Sequence, residues 1–101
     1  MSMDIQTVQA WVEEDWARSS KSRPDKHLQL VYLFEELGEV MEAIRKSQGD
    51  KIRKDMNVDL EGELGDVVIA LCTIANTYRV DLAQAIAVCQ AKIIKRHNQG
   101  F

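Results

Sequence analysis

The sequence predicts an all-α fold, a four-helix antiparallel bundle, on three observations. Apolar residues recur at steps of three and four in four separate stretches. No segment alternates apolar and polar residues over a strand's length. One proline and five glycines among 101 residues leave few turn positions, which favours a few long helices with short connections. A chain of this length is read as a single domain, residues 1–101, with a modest core that oligomerisation would help.

Each element has its own signals. The first helix is expected from about Asp4 to Ala17, with Ile5, Val8, Val12 and Trp16 on one stripe. Arg18 to Asp25 reads as a loop, and Pro24-Asp25 as the start of a second helix from Lys26 to Ser47, stopping at Gly49. Asp50 to Met56 forms a basic-rich connection, in which Lys51, Arg53 and Lys54 read as a solvated run. Asn57 is placed to cap a third helix from Val58 to Tyr78. Arg79-Val80-Asp81 breaks the pattern. Asp81 with Gln84 has the form of a capping box for a last helix, Leu82 to about His97.

Bulk composition excludes several classes. The net charge of −3 lacks the basic footprint of a nucleic-acid binder, so no nucleic acid is expected as a partner. No apolar run reaches membrane-spanning length, and Met-Ser-Met-Asp is too acidic for a signal peptide. The chain is therefore expected to be soluble and cytoplasmic. Cys72 and Cys89 both fall in apolar helical patterns and read as reduced core residues. His27 and His97 stand at helix ends and read as surface residues.

The acids carry the chemical signal. Along the third helix, alternating steps of four and three pass through Asp59, Glu63, Asp66, Ala70, Thr73 and Thr77. Such a seam ordinarily holds Leu, Ile or Val. The second helix has a matching seam of Gln29, Tyr32, Glu36, Glu39 and Ala43, beside Leu30, Leu33, Leu37 and Val40. Residues three apart share a helix face, so each helix points two acids the same way. The midpoints of Glu36/Glu39 and Glu63/Asp66 are equidistant from Lys51, so an antiparallel hairpin sets the four carboxylates level. Clustered carboxylates away from water must take up protons or bind cations. Oxygen donors without histidine or cysteine favour a hard ion, Mg²⁺ or Mn²⁺, over zinc. A di-iron carboxylate bundle would need Glu-x-x-His pairs, which are absent.

The pattern resembles the MazG-type nucleotide pyrophosphohydrolases of the all-α NTP pyrophosphatase superfamily. Their Glu-Glu-x-x-Glu, spacer, Glu-x-x-Asp signature stands here as Glu35-Glu36-Leu37-Gly38-Glu39, a spacer from Val40 to Gly62, and Glu63-Leu64-Gly65-Asp66. With its flanking helices the resemblance covers roughly Asp25 to Arg96. It implies Mg²⁺-dependent hydrolysis of (deoxy)nucleoside triphosphates to monophosphate and pyrophosphate, clearing noncanonical or surplus nucleotides. On this resemblance Glu36, Glu39, Glu63 and Asp66 are the metal ligands, and Glu35 is the candidate general base.

The resemblance also implies phosphate contacts from the last helix, where Lys92 and Arg96 share a face. The neighbouring Cys89 and Ile93 are apolar, so that part of the family pattern is only partly reproduced. Arg23, with Lys21, is a candidate to reach the triphosphate, and Trp16 to stack a base. Relatives of this type form dimers or tetramers with pockets near subunit contacts, so a homodimer or homotetramer is expected. The competing reading is a non-catalytic, metal-stabilised helical regulatory module.

Overall fold

A computed structural model of the chain describes residues 3–19, 22–48 and 59–100. Among these residues there are four helices and no strand: α1 (Ile5–Arg18), α2 (Lys26–Ser47), α3 (Leu60–Thr77) and α4 (Leu82–Asn98). The all-α architecture expected from the sequence is present, and the helix bounds fall within two residues of those read from it wherever the ends are described. Gly49, the 50–56 connection, Asn57 and Lys21 lie outside the described residues.

Each helix is opened by an aspartate. Asp4, Asp25, Asp59 and Asp81 accept hydrogen bonds from the amides of Thr7, Leu28, Gly62 and Gln84 at 2.8, 2.9, 2.9 and 3.3 Å. A carboxylate there satisfies an orphan amide and complements the positive end of the helix dipole. At Asp4 the Thr7 amide holds the carboxyl below its usual pKa. The third cap corrects an expectation: Asp59, read as a seam acid, caps α3, so the helix starts at Leu60. At Asp81 only half of the capping box forms, because Gln84 makes no return bond.

Helix α3 is central, packed against both α2 and α1, while α4 packs on α1. Both neighbours run antiparallel to it. Gln29, early in α2, meets Thr77 at the end of α3, and Gln9 of α1 meets Asn76. The turn into α4 closes with Val80 N–H on the Ala75 carbonyl at 2.8 Å and Arg79 N–H on that of Asn76 at 3.3 Å. This six-to-one and five-to-two pattern is a Schellman cap, and it places Arg79 at φ 57°. The Gln9 amide fixes the turn, donating to the Val80 carbonyl at 2.6 Å and accepting from Leu82 N–H at 3.0 Å.

The core is small. Val12, Ala43, Cys72 and Ala75 are its buried apolar residues. Many large apolar side chains stay open, among them Phe34 at 73%, Met41 at 66% and Ile94 at 53% exposure. Helix α4 buries nothing. Cys89 is accordingly exposed rather than in the core, since α4 packs chiefly on α1; Cys72 is buried, and both thiols are free. His27 and His97 are exposed, as expected. No helix among the described residues is long and apolar enough to cross a membrane.

Candidate active site

The antiparallel pairing of α2 and α3 brings the two i, i+3 acid pairs together. One carboxylate oxygen from each of Glu36, Glu39, Glu63 and Asp66 lies within 4.8 Å of the others. Glu36 and Glu63 are half-buried, while Glu39 and Asp66 are exposed. Glu36 Oε2 and Glu63 Oε2 are shut off from solvent without a hydrogen-bond partner. Orphaned charged oxygens of this kind carry a substantial desolvation cost.

The titration behaviour follows from that placement. Burial pushes the Glu36 carboxyl above its ordinary pKa, reinforced by the charges of Glu39 and Asp66. Glu63 is also raised, first by the adjoining Glu39 carboxyl, with which it can share a proton, then by burial and by the charges of Glu39, Asp66 and Glu36. Every influence on the two groups acts in the same direction. The remedies are a proton or a cation. Four oxygen donors, two of them buried and unmatched, fit a hard divalent ion, which would supply the missing partner of both orphaned oxygens.

Beside the acids lies a cleft of about 350 Å³ that shares Glu36 and Asp66 with the cluster. Trp16 of α1, Tyr32 of α2 and Ile69 and Ala70 of α3 give it apolar walls; Pro24, Gln29 and Thr73 complete it. Its polar groups hold one another. Trp16 Nε1 donates to Thr73 Oγ1 at 3.3 Å, and that hydroxyl donates to the Ile69 carbonyl at 3.2 Å. Gln29 Nε2 donates to the Pro24 carbonyl at 2.7 Å, and its Oε1 accepts from Thr77 Oγ1 at 3.0 Å.

The residues singled out in the sequence are distributed unevenly. Trp16 lines the cleft, and Glu35 stands exposed outside the cluster, close enough for its charge to act on Glu36. Arg23 is half-buried and paired with Glu13 of α1. Lys92 and Arg96 are exposed on α4, and no described residue of α4 lines the cleft. Gln29, Tyr32 and Thr73 went unselected, although they occupy the same three-four seams as the acids; that shared seam was the available signal. Gly38 and Gly65, between the acids of each pair, have open space where a Cβ would stand.

Comparison with known proteins bears on the family and the fold. Residues 25–101 match the family model of the MazG nucleotide pyrophosphohydrolase domain. The uncharacterized protein YvdC of Bacillus subtilis strain 168 is 24% identical, over 93% of this chain and 96% of its own length. The crystal structure of the "putative pyrophosphatase YPJD" from Bacillus subtilis superposes with a TM-score of 0.79 at 25% identity, covering 91% of this chain and 94% of that one.

Proposed function

Because the chain belongs to the MazG nucleotide pyrophosphohydrolase family, we propose that it hydrolyses (deoxy)nucleoside triphosphates to monophosphate and pyrophosphate with Mg²⁺, or Mn²⁺ in its place. The observation that carries this reading is the convergence of four carboxylates with two orphaned buried oxygens. Glu36, Glu39, Glu63 and Asp66 would hold the ion. Bound there, it would neutralise phosphate oxygens, lower the pKa of water and stabilise the leaving pyrophosphate. Glu35, exposed beside Glu36 and outside the cluster, is free to orient and deprotonate a water as general base. The cleft next to the acids takes the nucleoside end, against Trp16. The role we assign is removal of noncanonical or surplus nucleotides.

Homo-oligomerisation belongs to the same proposal. The chain exposes 8105 Å², whereas a compact monomer of 11.5 kDa exposes about 5,800 Å². Its radius of gyration of 16.7 Å likewise exceeds the roughly 13 Å of a compact domain of this size. An excess of about 2,000 Å² per chain suits an obligate homodimer or homotetramer. The uncovered faces of α2 and α4 are where a second copy would pack. Lys92 and Arg96 would then meet the triphosphate from the partner's α4, and Arg23 would do so after release from Glu13.

The test is a panel of (d)NTPs with Mg²⁺, scored for monophosphate and pyrophosphate. Release of orthophosphate alone contradicts the cleavage position. Stabilisation by Mg²⁺ without turnover of any nucleotide favours the regulatory module instead. A monomer by light scattering counts against the shared site.

A further inference from the structure

Which nucleotides the cleft accepts depends on the polar groups it offers, and nearly all are already committed. A ligand whose phosphates meet Glu36 and Asp66 extends into the adjoining cleft, since both acids belong to it. There it meets Trp16, Tyr32, Ile69 and Ala70 in a space of about 350 Å³, within the range of small-molecule pockets. Base-reading pockets discriminate by leaving oriented donors and acceptors open for the correct edge. Here the Trp16 N–H and the Thr73 hydroxyl proton are tied into one chain, and the Gln29 amide has its oxygen and one of its two N–H donors held. The amide cannot be reversed, because Oε1 would then face the Pro24 carbonyl, acceptor against acceptor. Gln29 and Thr73 are 4% and 8% exposed, so neither can swing out to read an edge. Among the described residues, and apart from the acids and the second N–H of the 4%-exposed Gln29, Tyr32 is left as the uncommitted polar group of the walls. Its hydroxyl both donates and accepts, so it serves a 4-amino group and a 4-carbonyl equally.

We infer that this cleft selects the nucleobase by shape and stacking and does not read its donor–acceptor pattern. Bases of one size with opposite edges are handled alike. This rests on the pyrophosphohydrolase reading above, and the experiment separates the two.

The rate test compares kcat/KM for pyrophosphate release from dCTP against dUTP, and from dATP against dITP, with Mg²⁺. Within each pair the values are expected to agree within about tenfold, because an apolar pocket distinguishes isosteres weakly, whereas hydrogen-bond readers reach about 10⁴-fold. A difference above about a hundredfold in either pair overturns the inference and leaves the pyrophosphohydrolase reading intact. Trp16→Ala should raise KM for both members of a pair by the same factor. Unequal changes would show that the indole reads the edge.

A binding arm is independent of turnover. In Trp11→Phe, Trp16 is the remaining tryptophan, and its fluorescence is titrated with dCMP and dUMP in Mg²⁺. Equal dissociation constants support shape selection even if no triphosphate is cleaved, in which case the proposed activity alone fails. Constants more than a hundredfold apart, or no quenching by either, overturn the inference.

Discussion

Two polar layers lie on the same pair of helix seams, a few turns apart, and they are built in opposite ways. At one end of the α2–α3 pair, Gln29, Thr73, Thr77 and Trp16 satisfy one another and the backbone around them. At the other, Glu36, Glu39, Glu63 and Asp66 crowd together, with Glu36 Oε2 and Glu63 Oε2 lacking partners. A closed network stabilises and orients; an open one is costly until something enters it. The difference separates a layer whose polar groups are matched within the protein from one that leaves two carboxylate oxygens unmatched, and each half of the contrast can be broken by substitution.

The largest effect is expected at the open layer. Glu39→Ala or Asp66→Ala should abolish pyrophosphate release, a loss of at least about 10³-fold if the ion supplies several kcal/mol of transition-state stabilisation. Circular dichroism should show the helical content unchanged, and in EDTA the variants should melt no lower than the parent, because mutual repulsion has been relieved. Retained turnover in either variant would remove that residue from the assignment.

The closed layer should respond in the opposite sense. Gln29→Leu strands the Pro24 carbonyl, while the Thr77 hydroxyl keeps the Thr73 carbonyl as acceptor, and Thr73→Val strands the Trp16 N–H. Each leaves a part-buried polar group unpaired, at about 1 kcal/mol, readable as a lower midpoint in urea with or without Mg²⁺. If either variant proved as stable as the parent, the closed layer would not be holding the helices together.

These layers also mark what was legible in the sequence. The acid convergence was readable because it needs only local information: i, i+3 spacing on each helix and equal distances to the connection. The Gln29–Thr77 and Trp16–Thr73 bonds were not, since they depend on how α1 and α2 rotate against α3, which no single helix encodes. Asp59 was misread for a different reason. Aspartate is both a metal ligand and the favoured helix cap, and at Asp59 the seam position and the cap position coincide. Helix α4 shows a further limit. Its apolar residues Ile86, Cys89 and Ile93 lie at the spacing of a buried face, yet that face is open. An amphipathic pattern states that a face is to be covered and leaves the cover unnamed.

A smaller effect sharpens the contrast through pH. Glu36 and Glu63 have folded-state pKa values raised above the ordinary value of 4.5, so the metal-free native state binds protons more tightly than the unfolded chain. Stability should then fall as pH rises from about 4.5 through the raised values, and level off above them. Gln29, Thr73 and Thr77 do not ionise, so the closed layer contributes no slope. Saturating Mg²⁺ should reverse the sign, because the ion competes with those protons and binds better as they leave. Melting temperatures across this window, in EDTA and in Mg²⁺, would give slopes of opposite sign. Glu63→Gln should flatten the EDTA slope. Parallel slopes in the two conditions would mean that the ion does not enter among these four carboxylates, and the open layer would need another explanation.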